Sequence, residues 1–122
     1  MHKIYYGRAV YNNKEIQAVL KVLKKQSLSL IDGINVKKIE RKVSKIFGKK
    51  YGLMVNSGSS ANLLALSSFN FKKGSEIITT SLTFSTTVAP IFQLGLKPHF
   101  IGALENKFIA DPQQIEKCIN RN

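Results

Sequence analysis

The stretch Val55-Asn56-Ser57-Gly58-Ser59-Ser60-Ala61-Asn62-Leu63-Leu64-Ala65 decides the fold class of this chain. The short apolar run 51–56 that leads into it is too short for a helix and predicts a strand buried on both faces. From Ser59 to about Phe69 the residues are rich in Ala and Leu on nearly all sides, which predicts a helix packed against a sheet and covered by other elements. A strand that leads directly into a helix indicates an α/β fold.

The residues that follow repeat this alternation. Residues 76–80 predict a second strand, and residues 97–101 predict a third strand after a stop at Gly95. Between them, residues 83–94 predict a mostly apolar helix that Pro90 should bend, because proline has no backbone N–H to donate. The order βαβαβ predicts a mainly parallel sheet with helices packed on it.

Two amphipathic helices are predicted before this alternation. Apolar residues recur at helical spacing over residues 13–25, where Asn12 is the expected N-cap. A second apolar stripe follows Asn35, its expected cap, and stops at Gly48. Residues 27–33 interrupt the periodicity between the two helices.

The chain of 122 residues has the material for one domain or part of one, and its 43% hydrophobic residues are typical of a globular protein. We expect N-terminal helices over about 1–50 and a βαβαβα segment over 51–122. Asp111-Pro112-Gln113-Gln114 predicts the last helix, with a capping side chain followed by proline. Because no finishing strand follows this helix, we expect the sheet to be incomplete.

The net charge of +12 comes from 19 Lys and Arg against 7 Asp and Glu. Such a charge favours anionic partners, and either a solvated lysine-rich surface or a nucleic-acid-binding surface is compatible with it.

Cys118, the single cysteine, excludes an internal disulfide, favours a reducing cytoplasm and is expected to fill space in the core. No apolar run has the length of a signal peptide or a membrane span, and His99 is expected to be structural.

The turn Ser57-Gly58-Ser59-Ser60 lies where the predicted strand meets the predicted helix. Free amides and the positive end of the helix dipole converge at such a position and favour an anion. Three serine hydroxyls offer further donors to a phosphate. An ordinary Ser-capped helix explains the same residues. The turn matches neither a P-loop, nor a dinucleotide fingerprint, nor a serine-hydrolase elbow.

The loop 80–87 follows the next predicted strand and contains Phe84 among several hydroxyl side chains. Loops at the carboxyl ends of neighbouring parallel strands meet at one edge of a sheet, so we expect this loop to lie beside the serine turn. Phe84 either stacks on a flat phosphorylated heterocycle or packs in the core.

These residues together resemble the DegT-type sugar aminotransferases and the related 3-dehydrases of deoxysugar biosynthesis, within the aspartate aminotransferase fold. The resemblance runs nearly the whole length of the chain. It is carried by ordered blocks at family spacing: Tyr6-Gly7-Arg8, Asp32-Gly33, Val55 to Ala65, Thr83-Phe84-Ser85-Thr86-Thr87, Gly95-Leu96-Lys97-Pro98 and Asp111-Pro112. It departs from the family pattern at Gly102 and at Gly74-Ser75-Glu76.

The resemblance implies pyridoxal 5'-phosphate (PLP) or its amine form, pyridoxamine 5'-phosphate (PMP), as the cofactor. Within the cofactor-binding turn of Ser57, Gly58, Ser59 and Ser60, it implies that Ser59 and the backbone at Ser60 hold the phosphate. It implies that Phe84 stacks on the cofactor ring. The family's later aspartate and its Schiff-base lysine have no counterpart here, so no catalytic residue and no metal ligand is assigned in this chain.

The resemblance further implies a nucleotide-sugar substrate, an amino donor and a homodimer in the complete protein. The chain is expected to cover about the first third of such an enzyme and to be inactive alone. An aminotransferase is the broader expectation, whereas the sequence from Gly58 to Leu64 is especially similar to that of the 3-dehydrases. A small basic nucleic-acid-binding module and a remnant unable to fold are the two alternatives from other classes.

Overall fold

The computed structural model describes residues 4–25, 30–31 and 33–119 of the chain. Residues 27–29 and Asp32, which carry most of the predicted break and part of the family resemblance, lie outside them. The chain divides into two compact units, Met1–Met54 and Val55–Asn122.

The first unit contains two helices, α1 (Asn13–Lys24) and α2 (Ile34–Ile46). Asn12 caps α1 as predicted: its Oδ1 accepts the Lys14 amide at 2.8 Å, and the Asn12 amide donates to Glu15 Oε2 at 2.7 Å. This reciprocal arrangement satisfies amides that the first helical turn leaves without partners. The bond from the Asn12 amide also holds the pKa of the Glu15 carboxyl below its ordinary value of 4.5.

The cap predicted for α2 is wrong. The helix begins at Ile34 after Gly33, which offers no side-chain cap, and Asn35 is already the second helical residue. The backbone is already helical at Ile34, so Asn35 lies inside the first turn and not at the N-cap position. The predicted end is confirmed, since Phe47 is the C-cap and Gly48 follows with a φ of 61°, a conformation that favours glycine.

The strand predicted at 51–56 is wrong for the described structure. Residues 51–55 have no regular secondary structure, Asn56 lies in a bend, and Tyr51 and Leu53 are 78% and 77% exposed. The only paired strands among the described residues are those of the second unit, and an apolar run without a pairing neighbour forms no strand ladder. Within the first unit, the Met54 amide donates instead to Glu40 Oε1 at 2.8 Å.

The second unit has the order α3 (Gly58–Ser67), β1 (Glu76–Thr80), α4 (Ser85–Gln93), β2 (Lys97–Ile101) and α5 (Pro112–Cys118). Strands β1 and β2 pair in parallel, with Glu76 opposite Lys97 and Thr80 opposite Ile101. Helix α4 connects the two strands, as a parallel pair requires. The α/β class and the parallel pairing predicted from the sequence are therefore confirmed, with two strands in the described sheet.

The core of the second unit lies between α4 and the two strands. Ile91, Leu96 and Ile101 are 2%, 5% and 3% exposed, and Thr79 and Pro90 are buried with them. Helix α3 contacts α4, yet none of its residues is buried, contrary to the expected cover. A helix with apolar residues on all sides and a partner on one side leaves its other face open.

The start predicted for α5 is confirmed. Asp111 accepts the Gln113 amide at 2.9 Å, and Pro112 is the first helical residue. Gln114 bonds to Asp111 Oδ2 and also accepts the Gly102 amide at 2.9 Å, which ties the helix to the end of β2. The helix ends at Cys118, because Ile119 has extended backbone angles.

Candidate functional site

The serine turn forms the N-terminus of α3. Ser57 is the N-cap, and its Oγ accepts the backbone amide of Ser60 at 3.1 Å. The amides of Gly58 and Ser59 precede Ser60 and donate to no acceptor within the described residues. The turn is therefore both a capped helix start and a place where two free donors meet the positive end of a helix dipole.

The three serine hydroxyls of this turn differ in their partners. Ser57 Oγ and Ser60 Oγ lie 3.1 Å apart, and Ser60 Oγ donates to Asn56 Oδ1 at 2.7 Å. In the described part of the chain, the Ser59 hydroxyl has no hydrogen-bond partner, and this residue is exposed. Of the three hydroxyls, that of Ser59 is the free one, and the Ser60 amide expected to hold phosphate already donates to Ser57.

Gly58 provides open space at the same turn. A Cβ built on Gly58 meets no atom within 4 Å, and its φ lies outside the left-handed region. The backbone conformation alone therefore does not require glycine here. The absence of a side chain instead leaves room beside the two free amides, as close approach of a ligand to the backbone requires.

Phe84 is the N-cap of α4, and its side chain is 70% exposed. The core-packing alternative for this residue is therefore excluded in the described structure. Its carbonyl accepts the Thr87 amide at 2.9 Å, which fixes the backbone at the start of the helix. The loop before it is held by bonds from Thr80 Oγ1 to the Leu82 carbonyl and between Thr83 and Thr87.

One hydrogen bond joins the two helix starts. Nδ2 of Asn62, the fifth residue of α3, lies 3.5 Å from the carbonyl oxygen of Thr86, the second residue of α4. The N-terminal halves of α3 and α4 are therefore neighbours. This link was not predicted from the sequence, in which Pro90 indicates only that the carbonyl four positions earlier lacks its helical donor.

His99 and Cys118 lie on β2 and α5. The Cys118 sulfur is 3.1 Å from His99 Nε2, and His99 Nδ1 is 3.9 Å from Glu76 Oε2. This pairing is consistent with the structural role expected for His99, and Cys118 is half-buried. Among the residues that the structure describes, no three His, Cys, Asp or Glu side chains form a metal-binding group, and no helix is long and apolar enough to span a membrane.

Several known proteins are similar to this chain. GDP-4-keto-6-deoxy-D-mannose 3-dehydratase of Yersinia pseudotuberculosis is 30% identical over 117 residues, 91% of this chain and 29% of that protein. The dTDP-3-amino-3,4,6-trideoxy-alpha-D-glucose transaminase of Micromonospora megalomicea is 30% identical over 104 residues, 85% of this chain and 27% of that protein.

A solved structure of the E. coli GDP-4-keto-6-deoxy-D-mannose-3-dehydratase, with bound hydrated PLP, matches with a TM-score of 0.85 at 32% identity. The match covers 98% of this chain and 32% of that one, so the fold is that of an incomplete domain of a PLP enzyme. The chain spans about 30% of the length of the curated relatives that it matches.

A family model gives the same assignment. The model of the DegT/DnrJ/EryC1/StrS aminotransferase family matches residues 10–122. This range includes the serine turn, the Phe84 loop and all five helices and both strands of the described structure. The chain belongs to the DegT/DnrJ/EryC1/StrS aminotransferase family.

Proposed function

We propose that residues 1–122 are the N-terminal part of the large domain of a PLP-dependent aminotransferase. The enzyme acts on nucleotide-linked keto-sugars in the biosynthesis of cell-surface polysaccharides or deoxysugars. The observation that carries the proposal is the pair of free amides at Gly58 and Ser59, at a helix start linked to the helix of an exposed Phe84.

The residues present fit a phosphorylated aromatic cofactor. The Gly58 and Ser59 amides and the Ser59 hydroxyl are three unused donors at the positive end of α3, and the phosphate of PLP is a dianionic acceptor. The open space at Gly58 allows a phosphate to approach these amides. The exposed ring of Phe84, at the start of the neighbouring helix, offers an apolar face to a flat heterocycle.

Bound PLP supplies an electron sink for chemistry at the carbon next to an amine. The residues of this chain contribute binding and orientation. The α3 turn would hold the phosphate through charge-assisted hydrogen bonds, and Phe84 would offer an apolar face to the ring. Ser57 does not contact the phosphate through its hydroxyl in this scheme, because its oxygen accepts the Ser60 amide and its proton is donated to Ser60 Oγ. We expect no turnover from residues 1–122 alone, since no lysine among them is assigned to the chemistry.

The activity is tested by incubating the complete protein, of which residues 1–122 are the proposed N-terminal part, with PLP, glutamate as amino donor and a nucleotide-linked 4-keto-6-deoxyhexose. Mass spectrometry of the sugar then shows whether the carbonyl oxygen has been replaced by an amino group. An amino sugar supports the proposal. A sugar that stays unchanged with all three components present, under conditions where PLP binds, would contradict it.

The second candidate is a PMP-dependent 3-dehydratase of the same family acting on a nucleotide-linked 4-keto-6-deoxyhexose. It is favoured by the Yersinia relative, which carries that activity in its name and is similar over 91% of this chain. The same reaction mixture separates the two candidates, because the dehydratase removes a hydroxyl group and leaves no nitrogen on the sugar. A 3-deoxy product would replace the aminotransferase proposal with this one.

Three further expectations belong to this proposal. The complete protein is a homodimer, works in the cytoplasm and uses its nucleotide-sugar substrate and amino donor there. The alternative of a nucleic-acid-binding module is supported by the net charge of +12 alone. It predicts binding to duplex or single strands that weakens steeply with salt, whereas a lysine-rich enzyme surface predicts no specific binding.

A further inference from the structure

Pro90 leaves one carbonyl of α4 without its helical donor. In a regular helix the amide of residue 90 would donate to the carbonyl of Thr86, four residues earlier. Proline has no N–H, and Pro90 is held in the helix interior by burial against the core. The carbonyl of Thr86 therefore needs a donor from outside the helical pattern or from water.

The structure places such a donor on the neighbouring helix. Asn62 Nδ2 lies 3.5 Å from the Thr86 carbonyl oxygen, longer than the roughly 2.7–3.2 Å that is usual for an N–H···O hydrogen bond. Both residues are exposed, so water competes for each group. Among the hydrogen bonds of the described residues, this is the one that connects α3 to α4.

The two ends of this bond are close in sequence to the two halves of the proposed cofactor site. Asn62 lies three residues after Ser59, the proposed phosphate ligand, and Thr86 lies two residues after Phe84, the proposed ring contact. The loop bonds at Thr83 and Thr87 stay within their own segment and do not reach α3. The Asn62 amide is therefore placed to fix the position of one half of the site relative to the other.

We propose that Asn62 is a positioning residue: its bond to the carbonyl that Pro90 leaves free fixes Phe84 relative to the phosphate-binding turn of α3. The inference rests on the proposed PLP function. It assigns Asn62 no contact with the cofactor. It also gives Pro90 a reason to lie inside a helix, since a residue with an N–H would compete with Asn62 for the Thr86 carbonyl.

The proposal predicts that Asn62 matters only to a ligand that uses both halves of the site. PMP is the suitable probe, because its amine forms no imine with the many lysines of this protein. Asn62→Leu should raise the Kd for PMP about fivefold, the value of one ordinary hydrogen bond. The inhibition constant of inorganic phosphate, measured as a competitor of PMP, should stay unchanged because phosphate uses the α3 turn alone.

Two control variants make this measurement specific. Asn35→Leu, which replaces an exposed asparagine on α2, should leave both constants unchanged. Asn62→Gln keeps an amide donor and should restore most of the PMP affinity. If Asn62→Leu weakens phosphate binding as much as PMP binding, or unfolds the protein so that both are lost, Asn62 has a general structural role. Either result would overturn the proposal.

The role of Pro90 is tested by a double-mutant cycle. In a Pro90→Ala background the helix supplies its own donor to Thr86, so Asn62→Leu should change the PMP Kd less than about twofold. The same fivefold loss in both backgrounds would contradict the claim that the Thr86 carbonyl is the partner. If the unchanged protein fails to bind PMP, the proposed function fails; if it binds and Asn62→Leu has no effect, this inference alone fails.

Discussion

The Oγ of Ser57 accepts the backbone amide of Ser60 at 3.1 Å, at the first turn of α3. Because of this bond, Ser57 and Ser59 have different roles. Ser57 stabilises the helix, whereas the exposed Ser59 has a hydroxyl that the described structure leaves free. A sequence of three serines around one glycine does not separate these tasks, because all three side chains are good capping and phosphate-binding groups.

Replacing Ser57 by Ala should therefore affect stability, and replacing Ser59 by Ala should affect binding. Loss of an N-cap costs about 1 kcal/mol of unfolding free energy, measured by urea denaturation. Ser59→Ala should change that free energy by less than about 0.5 kcal/mol and weaken PMP binding about tenfold, since a hydrogen bond to a charged group is lost. If Ser59→Ala lowers stability and Ser57→Ala weakens PMP binding, Ser59 is the cap and Ser57 the phosphate ligand, and the assignment is wrong.

Gly58→Ala should change the stability of the protein and its PMP affinity in opposite directions. Since a Cβ there meets no atom within 4 Å and the φ suits any residue, alanine should stabilise the protein by about 0.4–1 kcal/mol. The same methyl group would occupy the space through which the phosphate approaches, and we expect weaker PMP binding. Thermal melting with and without PMP measures both effects. A variant that binds PMP as well as the unchanged protein would remove Gly58 from the site.

Gly52→Ala should destabilise the first unit. A Cβ at this position would lie 2.8 Å from the backbone carbonyl oxygen of Glu40, closer than packed atoms tolerate. Because the obstacle is helical backbone and not a flexible side chain, we expect a loss of about 1–3 kcal/mol in the free energy of unfolding. Gly7→Ala is the matched control, since nothing lies within 4 Å of its Cβ position. Equal stability of the two variants would contradict the close approach.

The capping box of α1 should give a pH dependence in the acid range. The bond from the Asn12 amide lowers the pKa of Glu15 below 4.5 in the folded chain. Its contribution to stability is therefore fully present above about pH 4.5 and is lost as the pH falls through the lowered folded value. Far-ultraviolet circular dichroism of the helices under mild denaturant should show this loss. Glu15→Gln should remove that component, and an unchanged acid transition in this variant would count against the assignment.

The sequence was most informative where local rules act alone. The cap at Asn12, the stop at Gly48 and the start of α5 at Asp111 and Pro112 depend on neighbouring residues, and all are confirmed. The strand predicted at 51–56 was wrong because a strand also needs a pairing partner, which periodicity does not supply.

The candidate site was predicted in part. The serine turn and the Phe84 loop follow from motif and resemblance, and the exposure of Phe84 required the structure. Free amides at the turn were predicted, but which serine hydroxyl stays free was not, because three serines compete for one cap. The link from Asn62 to Thr86 depends on how two helices pack, and a single sequence contains no direct signal for that distance.

The claim that the first turn of α3 holds the phosphate of PLP is tested most directly by comparing PMP with pyridoxamine, which lacks the phosphate. Fluorescence titration of the protein with each compound gives the two Kd values, and neither compound forms an imine with lysine. We predict that PMP binds more than about tenfold more tightly and that Ser59→Ala removes most of this preference. Equal affinities for PMP and pyridoxamine, or a preference that Ser59→Ala leaves intact, would contradict the claim.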